Sequence, residues 1–245
     1  MDNQNNQQSS QEQEVVGTLD KVSWLVIVVL GMLSAFGPVC TDIYLPAIPT
    51  ITKEYMTNAS TMQLTLTAYF FGLAIGQLII GPLSDSYGRK KLLYICLVIF
   101  IISSLWCAYA ATIEQLIIAR LFQGLSGASG IVLSRTIACD MYSGRELTKF
   151  MSLLMTLNGL AQILGPIVGS GIVSIWAWPT LFIFLVGWGI LLLFSSITVL
   201  PETLPKEKRS THLVATIKSM LMELTNARFL LMSLALSWLL HLFWY

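Results

Sequence analysis

The stretch Gly81–Lys91 reads GPLSDSYGRKK. It sets Asp85, Arg89, Lys90 and Lys91 between two long apolar runs, in a chain of 245 residues that is 55% hydrophobic and only 11% charged. A soluble domain carries about a quarter of its residues charged. This composition therefore suits lipid as the solvent, and so dense a charge cluster marks a place where the chain leaves the lipid.

Working outward from that cluster, six segments are long and apolar enough to cross a hydrocarbon core, which takes about 20 residues as a helix. They lie at 23–43, 62–83, 92–111, 116–138, 149–172 and 178–199. A seventh begins near Phe229 and reaches Tyr245. No segment shows the ten-residue alternation of a membrane barrel. The expected fold is an all-α polytopic membrane protein with a six-helix bundle and an incomplete seventh helix. The expected division is a Gln/Asn-rich disordered tail at 1–20, the bundle at 21–200, a cytoplasmic linker at 201–228 and the partial helix at 229–245. The tail has no positive region ahead of an apolar one, so it does not read as a secretory signal.

Cations then orient the spans. With the N-terminus inside, the inner segments hold Lys21, the Arg89–Lys91 run, Arg145, Lys149 and all the cations of 201–228, whereas the outer loops hold Lys53 alone. That is a strong positive-inside bias. The opening stretch thus becomes a tight cytoplasmic turn between spans two and three, with Gly88 allowing the reversal. Topology explains Arg89, Lys90 and Lys91. It leaves Asp85 unexplained.

Several function classes are excluded. A net charge of +1 gives no reason to expect nucleic acid. There is no Ser/His/Asp set, no phosphate loop and no cysteine or histidine pair at metal-ligand spacing, so neither an enzyme nor a cofactor or metal is expected. Cys40, Cys96, Cys107 and Cys139 read as small buried hydrophobes.

The turn GPLSDSYGRKKLL resembles the loop signature of the major facilitator superfamily through Gly81, Leu83, Asp85, Gly88, Arg89 and Lys90, and departs from it at Ser86. RLFQGLSGASG (120–130) looks like the motif opening span four, and NGLAQILGPIVGSG (158–171) like the span-five motif of proton-coupled drug antiporters. TDIYLPAIPTI (41–51) and SRTIACDMYSG (134–144) are similar to the Bcr/CflA drug-efflux subfamily. The resemblance runs over about 20–205. It implies efflux of small hydrophobic or amphipathic drugs in exchange for protons, in an inner membrane with the N-terminus cytoplasmic, and without a cofactor beyond the proton gradient.

The resemblance also implies a cytoplasmic latch of Asp85, Gly88, Arg89 and Asp140. Arg89 would bridge from the turn to Asp140 at the inner end of span four. Two charges sit within the spans. Asp42 lies about 27 Å along helix one from Trp24, and Arg120 about one turn into span four, so their depths match. A charge in lipid is tolerated when it pairs or lines a cavity. Asp42 and Arg120 are accordingly expected to form a proton switch, pairing and separating; the alternative is interfacial anchoring.

Arg135 falls about 60° past Arg120 around helix four. With Gln123 and Gly124 it is expected on an inward face, as a cavity or packing residue; joining the inner latch is the alternative for Arg135. Gly159, Gly165, Pro166 and Gly169 give span five a small face with a kink at the proline. The resemblance places that face against a second bundle; ordinary close packing between helices is the alternative, and the two are compatible. Gly72 and Gly76 give span two a similar face, and Tyr69, Phe70 and Phe71 are candidates to touch a drug. Superfamily members have two such bundles. The second would come from another half-transporter or a homodimer partner. A transport-inactive half that merely inserts is the alternative function.

Overall fold

The computed structural model describes residues 24–205 together with Leu231 and Met232. The tail at 1–20, most of the linker and most of the expected seventh span lie outside the described residues. Among these residues the chain is helical and carries no strand. Helices α1 (Trp24–Ser34) and α2 (Phe36–Asp42) are followed by a 3-10 turn and the short α3 (Ile48–Glu54). Then come α4 (Ala59–Tyr87), α5 (Arg89–Ala108), α6 (Ile113–Met141), α7 (Gly144–Ile175) and α8 (Pro179–Val199). The last five are each long and apolar enough to cross a membrane, and the α1–α2–α3 run makes a sixth span if taken as one.

The first span, expected as one straight helix, is bent by 43° after Ser34. Pro38 accounts for the bend. It has no N–H to give to the carbonyl of Ser34, four residues back, and its ring crowds that carbonyl. The bonds on either side, Ala35 N–H to Gly31 O at 3.1 Å and Val39 N–H to Ala35 O at 3.0 Å, are intact.

Helix starts follow the sequence. Asn58 caps α4 by accepting from the Thr61 N–H at 2.7 Å. Thr112 caps α6 by accepting from Gln115 N–H, and the Gln115 side chain accepts in return from Ala111 N–H. Between α4 and α5 a single residue turns the chain. Gly88 sits at φ 96°, in the region that favours glycine.

The bundle is closed by close helix crossings. A side chain at Gly72 or Gly76 of α4 would run into the backbone of Leu121 or Leu125 on α6, and one at Gly124 into the carbonyl of Tyr69. Without a hydrophobic drive in lipid, such backbone approach is what holds helices together. This seam brings Tyr69 and Arg120 into the same interior.

Candidate functional site

Two clusters of charge stand out, one at each end of the bundle. At the end formed by the α4–α5 turn, which the cation distribution predicts to be the inner one, Arg89 begins α5 and is 7% exposed. Its Nη1 donates to Ser84 Oγ at 2.5 Å and to Asp85, and its Nε donates to Asp140 Oδ2 at 3.2 Å. The turn and the end of α6 are therefore tied together through Asp85, Arg89 and Asp140, around the Gly88 reversal. Asp140 Oδ2 also accepts from the Thr203 hydroxyl at 2.9 Å.

Glu202 joins this cluster and is absent from the sequence expectation. Its carboxylate accepts from the backbone N–H groups of Arg89 (3.1 Å) and Lys90 (3.4 Å). Helix α5 has no other side-chain cap, so Glu202 supplies both the acceptor and the negative charge that its N-terminus favours. The signal is the Pro-Glu-Thr at 201–203, just past the last span. A carboxylate with no helix of its own to cap is visible there, but its target, 113 residues earlier, is not.

At the outer end, Arg120 sits on the second turn of α6 and is fully buried. Its Nη1 donates to Gln123 Oε1 at 2.7 Å and to the carbonyl of Cys40 at 3.4 Å. Gln123 Nε2 passes the chain on to Ser104 Oγ at 2.8 Å. The guanidinium lies 4.4 Å from the ring centre of Tyr44, 4.5 Å from that of Tyr69 and 5.8 Å from that of Phe182. Ring faces attract a desolvated cation, and a planar guanidinium stacks on them. Nε and Nη2 find no hydrogen-bond partner. Tyr44 is itself fixed by a 2.9 Å hydroxyl contact with Thr65.

Asp42 and Arg120 stand at matching depth, since Arg120 reaches the carbonyl of Cys40. They do not pair: the ion pairs among the described residues belong to Arg89. Asp42 ends α2 half-exposed and looks into a cavity of about 470 Å³ lined by Thr41, Phe70, Leu73, Ile131, Gln162 and Pro166 among others. Its Oδ1 accepts from the Thr41 hydroxyl at 3.2 Å. Of the three aromatic candidates on α4, Phe70 lines this cavity, Phe71 is exposed and Tyr69 is in the Arg120 cage.

Several expectations are corrected. Arg135 is exposed, so it is not a packing residue of this bundle. The inner half of α6 buries Leu133, Ser134, Ile137 and Ala138 instead, so the offset of about 60° carries Arg135 off the packed face. Gly159 opens on empty space. Gly165 and Gly169 pack against this same bundle: a side chain at Gly165 would meet Asp42 Cβ at 2.7 Å, and one at Gly169 would strike the carbonyl of Ile43. Pro166, between them, borders the Asp42 cavity. Cys40, Cys96 and Cys107 are buried, but Cys139 is exposed, on the face of α6 opposite the buried Ile137 and Ala138 side.

This arrangement of membrane helices with a charged inner turn belongs to a known class. The profile of the Major Facilitator Superfamily matches residues 23–245, and the chain belongs to that family. It is 45% identical over 194 residues to an uncharacterized MFS-type transporter, YdgK, of Bacillus subtilis strain 168, covering 78% of this chain and 48% of that protein. It is 32% identical over 189 residues to a bicyclomycin resistance protein homolog of Haemophilus influenzae, covering 77% of this chain and 48% of that one. Among solved structures, the proton:xylose symporter XylE superposes with a TM-score of 0.68 at 16% identity, over 75% of this chain and 46% of its own. That likeness concerns the fold. The chain spans about half the length of the curated relatives it matches. It is a multi-pass membrane protein.

Proposed function

We propose that this bundle forms one wall of a multidrug efflux transporter that exchanges small amphipathic compounds for protons. The observation that carries this reading is Arg120, a fully buried cation with no carboxylate partner among the described residues, at the same depth as a carboxylate that faces a cavity. Burying an unpaired charge costs several kcal/mol, and a fold keeps such a group where it has work to do. Rings, an amide and a carbonyl hold Arg120 in place without neutralising it.

In this reading Asp42 is the proton carrier. With a proton on Asp42, the cavity is neutral and drug leaves. With Asp42 ionised, its charge and that of Arg120 attract across a low-dielectric interior, and the cavity accepts an amphipathic or cationic drug. Phe70 and Leu73 offer the apolar contact, and Gln162 and Thr41 the polar one. The inner cluster around Arg89 holds the cytosolic side shut in one of two states, and release of those contacts opens it. The name of the Haemophilus relative suggests bicyclomycin as a first drug to try. The opposite wall of the cavity comes from a second bundle, for which a second copy of the chain is one source. The membrane is the inner one, with the N-terminus in the cytosol, as the distribution of Lys and Arg supports.

The test is efflux of ethidium or bicyclomycin from intact cells. Expression should lower accumulation, and Asp42→Asn or Arg120→Ala should return it to the level of the empty vector. Accumulation equal to the empty vector for the wild-type chain would refute transport by this polypeptide.

A further inference from the structure

The cage around Arg120 does not end at Phe182. Trp178, at the start of α8 and 3% exposed, lies one helical turn before Phe182 and stacks on it edge-to-face with ring centres 6.1 Å apart. Phe182 in turn meets Tyr44 at 5.8 Å, and both face the guanidinium. The outer end of this column is tied down. Trp178 Nε1 donates to Glu54 Oε2 at 2.6 Å, an indole bond to a carboxylate at the end of α3. Tyr55, the next residue, lies 5.9 Å from the Trp178 ring, and its hydroxyl donates at 2.6 Å to the carbonyl of Ala110, in the loop before α6. Three outer segments that are remote in sequence are thereby clasped above the cation: the end of α3, the α5–α6 loop and the start of α8.

We propose that Glu54 and Trp178 are positioning residues for Arg120: the Glu54–Trp178 bond fixes α8 so that Phe182 closes the cage with Tyr44. The physical need is plain. Gln123 and the Cys40 carbonyl hold Nη1 alone, and the other two guanidinium nitrogens have no hydrogen-bond partner among the described residues. Ring faces therefore fix the rest of the plane, and a ring holds direction only while its own helix is held. Glu54 is exposed and Trp178 is buried, so the clasp fixes an interior ring from the surface. The functional consequence rests on the proton-exchange reading above. The positional claim does not.

The experiment therefore reads position and transport separately. The full chain is labelled with 15N-arginine, purified in detergent, and its side-chain Nε–H signals are recorded by NMR, with Arg120→Lys identifying the Arg120 signal. That signal should be displaced by the ring currents of Tyr44 and Tyr69. Trp178→Phe, which keeps a ring and removes the donor, and Glu54→Ala should each move it toward the ordinary arginine position. Glu54→Gln retains an acceptor and should leave it in place. Dye efflux by the same variants should fall about fivefold for Trp178→Phe, the size of one lost hydrogen bond, and be restored by Glu54→Gln relative to Glu54→Ala. An Arg120 signal unchanged in both Trp178→Phe and Glu54→Ala overturns the proposal, as does a signal that moves equally in Glu54→Gln. A signal that moves as expected in a protein without wild-type efflux supports the clasp and removes the transport reading instead.

Discussion

Arg89 and Arg120 are both buried arginines near a helix start, and they are held in opposite ways. Arg89 is surrounded by anions: Asp85, Asp140 and the Glu202 carboxylate on its own backbone N–H. Arg120 has no carboxylate in contact among the described residues and is held by Tyr44, Tyr69, Phe182, Gln123 and a backbone carbonyl. In the proposed function the difference separates two jobs. A cation saturated with partners is a fastener, whose energy is released when the contacts part. A cation held by neutral groups keeps its field, and so responds when a carboxylate nearby gains or loses charge. The first suits a latch between two states, the second a proton switch.

Substitutions break this contrast in order of size. Arg120→Ala removes a buried charge and strands the Gln123 oxygen, so initial efflux rates should fall by about 100-fold or more. Arg120→Lys should recover little of this, since a compact ammonium neither stacks between two rings nor reaches Gln123 and the Cys40 carbonyl together. Equal activity of the lysine variant would mean that charge alone suffices, and the cage would lose its purpose.

Arg89→Ala is expected to act on populations rather than on coupling. Asp85 and Asp140 are partly exposed, so the loss is screened to about 1–2 kcal/mol, a shift of about tenfold toward the inward-open state. A cysteine placed at the buried Ser134 should then react with maleimide about tenfold faster. Unchanged labelling would make the cluster a plain topology signal. The smallest effect belongs to Glu202→Gln, which keeps an acceptor at the α5 N-terminus but removes the charge. It should raise the same labelling only about twofold, as the loss of a few tenths of a kcal/mol requires.

The latch and the cage also differ in how far they were legible in the sequence. The turn was read almost completely, because Asp85, Gly88 and Arg89 are neighbours and a tight reversal leaves them few places to go. The bundle was legible from hydropathy, and its glycine seam from the spacing of Gly72 and Gly76. The cage was not. Arg120 and Gln123 stand one turn apart, but Tyr44, Tyr69 and Phe182 reach them from three other helices, and apolar spans give no period that says which aromatic faces inward. Asp42 and Arg120 were placed at the right depth because rise per residue fixes depth. Whether they touch depends on helix rotation, which only packing sets. The same limit left Arg135 open between cavity and latch, and left Gly165 and Gly169 open between a second bundle and close packing within this one, where they seat α7 on Asp42 and Ile43.

The central claim is that drug and proton compete through Asp42. The most direct measurement adds ethidium to the purified protein in weakly buffered detergent solution and records the pH. Wild-type protein should release protons as the dye binds, and Asp42→Asn, which fixes the neutral form, should bind dye only weakly and release none. Dye binding without proton release from the wild type, or equal release from Asp42→Asn, would contradict it.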